Sequence, residues 1–350
     1  MRFNLWQSVK ISMTIVGTTI GAGFASGREI WEFFGSYGEG SSGSILLATL
    51  IFFAAIVTIL QISWRNHTSH YSEILKVIFP ERIALFFDVL VLVFLLSSTL
   101  VMVAGSGATF QQWNGSFNIG VLVMVVAVLV ILFFDVRGLM SMNLVLIPVM
   151  TTVLIFVCFH FLHISGWSAS WSETPPTSLP VWPSAITYAA FNMLSLLAVL
   201  STIGKEVRHQ GEIWLAGAIS CGALGMIAYL YNYSLLKVKD LISQYEIPLF
   251  ALVRDYSPVW VFAISFVLWL AIYTTAVSNI HGLASRLSDW VRLPHWLVGG
   301  TVLLLLLPLT QLGFATLVTY LYPLYGVLNL FILTMIMLYP FSSRSKKKSL

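Results

Sequence analysis

Val16-Gly17-Thr18-Thr19-Ile20-Gly21-Ala22-Gly23-Phe24-Ala25-Ser26-Gly27 lies inside the first apolar stretch, roughly residues 6–34. It carries four glycines in eleven positions, counted from Gly17 to Gly27. Each costs about 1 kcal/mol against alanine in a helix interior. Lipid offers no partner for exposed backbone, so irregular chain at that depth has to line a protein cavity. A broken helix at mid-membrane is also how many carriers build a solute site. Close helix packing through small residues gives the same letters without a break. Both readings stand for this segment taken alone.

The remainder of the chain sets the context. Of its 350 residues, 58% are hydrophobic and 9% charged. That composition predicts an all-α, polytopic integral membrane protein. The first apolar stretch is too long for a signal peptide and has no small-residue cleavage pattern. Cys158 and Cys221 both fall inside apolar spans and read as buried thiols, with no metal-site spacing. Lys and Arg lie in loops between spans, which argues against nucleic acid as a partner and for the lipid bilayer.

Ten spans emerge, at about 6–34, 43–64, 83–110, 118–135, 139–164, 183–204, 212–236, 258–288, 293–311 and 314–341. With a cytoplasmic N-terminus, fourteen Lys and Arg fall inside and four outside. The positive-inside rule then predicts a multi-pass plasma (cytoplasmic) membrane protein with both termini cytoplasmic. The loop Ser165–Val181 carries no Lys or Arg and fits the outside. The tail 342–350 reads as a basic cytoplasmic topology anchor. Residues 65–80 read as a short interfacial segment.

Ten spans divide into repeats at about 6–164 and 183–341 within one domain, 1–341. An odd number in each half makes the halves insert with opposite orientation, the arithmetic of an inverted 5+5 repeat. By that symmetry span six breaks near its middle as span one does, although no glycine stands between Pro183 and Gly204. Asn192 and Ser195 are polar at that depth. For Asn192, an interhelical hydrogen bond and contact with a ligand are both open.

In span eight, Ala271, Thr274 and Thr275 share one helix face through i, i+3 and i+4 spacing. Their oxygens can serve a cation, or the hydroxyls can bond back to the preceding turn. Here a resemblance becomes specific. Gly17-Thr18-Thr19-Ile20-Gly21-Ala22-Gly23 resembles the unwound first helix of LeuT-like transporters of the amino acid–polyamine–organocation superfamily, whose G-x-x-V-G-x-G pattern joins an A-x-x-T-S motif in span eight. The longer string Gly21–Ile30 is similar to the YkvI-type bacterial membrane proteins.

The resemblance implies a fold with helices 1 and 6 discontinuous and a sodium site. Its ligands would be the carbonyls of Gly17, Ile20 and Ala271 and the hydroxyls of Thr274 and Thr275. Five neutral oxygens suit a small monovalent ion, since divalent ions recruit carboxylates. Phe24 stands where the fold's second sodium site uses Asn, so that second site is expected to be absent. For the solute, the resemblance places Ala22 and Gly23 at a carboxylate, in an unwound stretch that continues through Phe24 and Ala25. Phe191, Asn192 and Ser195 stand opposite, Asn279 looks in from span eight, and Ser98 and Thr99 come from span three. Arg28 and Glu29, a turn farther out, read as an outer gate or substrate contact, or as an interfacial Arg that snorkels. With no acid placed at mid-membrane, a proton relay is disfavoured.

The function expected is sodium-coupled symport of a small amino-acid-like or organic solute by alternating access, with no cofactor beyond the coupling ion. No enzyme motif is present. A proton-coupled or uncoupled carrier on the same fold is one alternative. A non-transporting sensor or ligand-binding membrane protein is another.

Overall fold

The computed structural model describes residues 3–68, 70–134, 137–166 and 181–348. Residues 167–180, read from the sequence as an outside loop, lie outside the described residues, as do the side chains of the tail from 342 onward.

Asn4 caps the first helix by accepting from Trp6 N at 3.0 Å, and α1 runs Leu5–Thr19. The chain breaks at Ile20–Gly21, makes one helical turn, α2 (Ala22–Ala25), and breaks again at Ser26–Gly27. It resumes as α3 (Arg28–Phe33) and a 3-10 stretch, Gly35–Gly40. The expected unwound run Gly21–Ala25 is thus one helical turn between two interruptions. Gly27, at the second interruption, has a positive φ, +80°.

The other elements follow in order: α4 (Ser41–Asn66), α5 (Tyr71–Ile78), α6 (Glu81–Gln111), α7 (Phe117–Phe134) and α8 (Arg137–Ser165). The second half comprises α9 (Trp182–Phe191), α10 (Met193–Ile203), α11 (Gln210–Leu236), α12 (Lys239–Ile242), α13 (Leu249–Leu252), α14 (Pro258–Val291), α15 (His295–Thr310) and α16 (Phe314–Lys348). Among the described residues, six helices are long and apolar enough to cross a membrane: α4, α6, α8, α11, α14 and α16. The pair α9–α10, bent by 45°, makes a seventh, and α7 and α15 are shorter apolar helices. With the interrupted α1–α3, these are the ten apolar segments of the sequence.

Exposed Leu, Val and Phe side chains ring the outside, among them Leu46, Phe133, Val145 and Leu305. That is the expected surface of a bundle whose solvent is lipid. Small residues set the closest approaches within. Gly105 faces Phe314 and Gly107 faces Phe117, so the run Gly105–Ala108 is a packing surface. Within it, Ser106 Oγ donates to Gly120 O at 2.8 Å and accepts from Trp269 Nε1 at 2.7 Å. Cys158 and Cys221 are both buried free thiols.

Residues 65–80 hold α5, which buries Ile74 and Leu75. Its Tyr71 hydroxyl donates to Asp88 at 2.6 Å, and Arg286 pairs with the same carboxylate. Burial first, and then the Asp88 contact, push the Tyr71 phenol up to about 12. The neutral phenol is the form the fold stabilises. That contribution is complete below the usual tyrosine value near 10 and is lost as pH rises through 12. In a spectrophotometric titration compared with the parent chain, Asp88→Asn is expected to bring one tyrosine to ionise at lower pH, and Tyr71→Phe is expected to abolish that difference.

Candidate functional site

The two discontinuities meet at the centre of the bundle. On the first, Ala22 and Phe24 are 1% exposed and Ala25 0%, with Gly23 also buried. The breaks leave carbonyls without helical partners, and distant groups supply donors. The Tyr231 hydroxyl donates to Ala25 O at 3.0 Å, and Leu249 N donates to Ser26 O at 3.0 Å. The Ser26 hydroxyl turns back to Gly23 O at 2.8 Å.

The second break falls at Asn192, between α9 and α10. Glycine is not its cause. The Asn192 side-chain amide donates to Tyr188 O at 3.2 Å, and Asn329 on α16 donates to Phe191 O at 3.5 Å. Side-chain donors thus serve carbonyls around the bend. Asn192 also faces the Glu29 carboxyl, a contact between helices. Phe191 lies flat on Tyr322, with ring centroids 4.5 Å apart, and Ser195 is half-buried on the next turn.

Glu29, read from the sequence with Arg28 as part of an outer gate or a substrate contact, is 5% exposed and enclosed by α2, α9 and α16. A Cβ added to Gly23 would sit 2.9 Å from Glu29 Oε2 and 2.8 Å from the Tyr322 hydroxyl. The hydroxyl of Tyr188 faces the same carboxyl. Only the 3.6-residue register of a short α3 places Glu29 inward, and that register depends on the second break at Gly27. Arg28, one residue earlier, points elsewhere. It pairs with Glu32 at 2.9 Å and donates to Thr319 Oγ1 on α16 at 3.2 Å. It is largely buried, so a snorkelling role does not describe it.

On α14, the hydroxyls of Thr274 and Thr275 both donate to Ala271 O, at 3.1 and 2.8 Å. The back-bonding reading therefore describes their hydrogens, while their oxygen lone pairs remain available to a cation. Thr274 is 2% exposed. α14 packs on α2, the turn that begins two residues after Ile20, whereas α1 packs mainly on α11 and α10. Gly17 on α1 faces Ile147 of α8. Asn279, expected to look into the cavity, donates to Ser98 Oγ at 2.8 Å and so ties α14 to α6. Thr99 is fully buried and bonds back to Leu95 O.

A small, half-open pocket lies beside this centre and is lined by residues including Thr19, Phe24, Phe34, Phe52, Tyr188 and Cys221. It is apolar and sits on the α4–α11 side of the first break. Tyr188 borders both the pocket and the Glu29 carboxyl.

Comparison with known proteins places this geometry. The chain is 36% identical to YyaD of Bacillus subtilis (strain 168) over 346 residues, covering 98% of this chain and 100% of that one. It is 25% identical to the membrane protein YkvI of the same organism, over 92% of both chains. No family profile matches. Among solved structures, Mhp1 in its inward-facing conformation aligns with TM-score 0.65 at 14% identity, over 94% of this chain and 75% of that one. MhsT in complex with L-phenylalanine aligns with TM-score 0.57 at 17% identity, over 96% and 86%. These likenesses establish a LeuT-like fold.

Proposed function

Because the chain belongs to the family of YyaD and YkvI and has the LeuT-like fold, we propose that it is a secondary active transporter of the plasma membrane, moving a small amino-acid-like or organic solute by alternating access with sodium. The observation that carries this reading is the meeting of two interrupted helices at a buried, partly polar centre. Such a centre costs stability, and a bundle with only structural duties has no need of it. MhsT holds L-phenylalanine on the same fold. Here Phe191, Tyr188 and Tyr322 provide aromatic walls for an apolar portion of a solute.

Sodium would take the carbonyls of Gly17, Ile20 and Ala271 and the hydroxyl oxygens of Thr274 and Thr275. Support comes from the two threonine hydroxyls on one face of α14, whose oxygens keep lone pairs beyond the hydrogens they donate; Ala271 O, which accepts both hydrogens, would have to give them up to bind the ion. It comes also from the packing of α14 on the turn that follows Ile20. The solute would sit between Ala22–Gly23 and Asn192, with Arg28 and Thr319 closing the outer side. By linkage, sodium raises solute affinity by the same factor that solute raises sodium affinity.

Melting the purified protein in sodium, potassium or choline chloride at equal ionic strength tests the ion. A ligand of the native state alone adds about 2.7 kcal/mol at one hundred times its Kd. A gain specific to sodium is expected in the parent chain, and its loss is expected in Thr274→Ala/Thr275→Ala. Equal melting in all three salts would remove sodium from the proposal.

A further inference from the structure

The sodium reading makes no use of Glu29, the deepest acidic group at the centre. Its side chain meets the backbone of Gly23 on α2, the Tyr188 hydroxyl on α9, the Asn192 amide at the α9–α10 break, and the Tyr322 hydroxyl on α16. Oxygen Oε1 is buried with no hydrogen-bond partner. Among the described residues no cation pairs with it. Arg28, its neighbour on α3, is engaged by Glu32 and Thr319. On α11, Tyr231 is turned to Ala25 O.

A carboxylate in so dry a setting is offset either by a cation or by a proton. Packing decides between them. The stacked Phe191–Tyr322 pair closes one side, and the space above Gly23 is too small for a methyl group without displacing Tyr322 or the carboxyl itself. That closes the Oε2 side of the carboxyl to an ammonium or a hydrated metal ion, whereas a proton needs no added space.

We propose that Glu29 is a proton-binding site: its carboxyl holds a proton while α3 is packed on α9 and α16, and releases it when those helices part. The release breaks one O–H bond and passes the proton to water, and closure reverses it; nothing is oxidised or reduced. Glu29 rides on the outer half of span one and touches span six and span ten at once. Any motion that opens the centre along α3 therefore wets this carboxyl. The function assigned to that exchange, a coupled proton, rests on the transporter reading above. The protonation state itself does not.

Infrared spectroscopy of the purified protein at neutral pH, in choline chloride and again in sodium chloride, reads the state directly. The carbonyl-stretch band of a protonated carboxylic acid is expected in the parent chain in both salts and is expected to be lost in Glu29→Gln. Glu29→Asp keeps the acid, so the band is expected to shift position there, and Glu32→Gln, at the ion-paired neighbour, is expected to leave it in place. Tyr322→Ala removes the cover, and conversion of the band to carboxylate absorption is expected. Identical spectra for the parent chain and Glu29→Gln would overturn the proton assignment. A band that survives Tyr322→Ala would overturn release on opening. Neither outcome bears on the sodium-specific melting shift, so the two readings fail separately.

Discussion

Gly27→Ala is expected to cost about 2–5 kcal/mol and to remove most of the monodisperse protein recovered in detergent. Two independent penalties produce that figure. Residue 27 has φ +80°, a conformation that costs an L side chain about 1–2 kcal/mol. The added Cβ would also sit 2.5 Å from the Tyr231 hydroxyl, where overpacking typically costs about 1–3 kcal/mol. Relief by moving Tyr231 would cost the fold its bond to Ala25 O, which satisfies a carbonyl freed by the break. Gly222→Ala on α11, where nothing lies within 4 Å of the new atom, is the matched control. Alanine is the better helix former, so that variant is expected to melt no lower than the parent. Size-exclusion recovery and apparent melting temperature check both.

Gly326→Val is expected to give the second largest loss, about 1–3 kcal/mol from overpacking alone. Gly326 lies where α16 crosses α9. A Cβ there would run into the Thr187 side chain and come within 2.7 Å of the Thr187 carbonyl oxygen. Backbone does not yield as a side-chain tip does, so the two helices would have to separate. Their separation would strain the Phe191–Tyr322 stack and the Asn329 bond to Phe191 O. A lower melting temperature is therefore expected, together with weaker control of the α9–α10 bend. Gly282→Ala, whose nearest neighbour is Leu95 at 3.5 Å, is expected to melt with the parent. Equal melting of Gly326→Val and Gly282→Ala would show that the α16–α9 crossing is looser than the geometry states.

The fold was legible because its strongest signals are long and physical. Apolar runs set the spans, loop cations set the expected orientation, and glycines marked the first break. The break in span six followed only from symmetry, since α9 and α10 have ordinary helix formers on both sides of Asn192. The site was legible in part. Asn192 does stand at the break, while Asn279 is taken up by Ser98. Glu29 was read as lying outside the centre because counting along an unbroken helix carries it there. A one-turn α2 followed by a left-handed Gly27 re-aims α3 inward, and no hydrophobic period records that change of register. Tyr322, Thr319 and Asn329 were missed for a related reason. Each lies in a span that reads as uniformly apolar, and its partner is far off in sequence, 291 residues for Thr319 with Arg28 and 138 for Asn329 with Phe191.

The two interruptions are maintained by unlike means. The first depends on atoms that are missing, since Gly27 tolerates no side chain against Tyr231 and Pro248. The second depends on groups that are borrowed, the amides of Asn192 and Asn329. Mutational tolerance at the breaks themselves should therefore be lopsided: at one an added side chain does the damage, and at the other the loss of a donor. Two halves can then share a bend while sharing almost no letters, and an internal duplication built this way leaves its trace in which carbonyls need a guest rather than in any string that can be aligned.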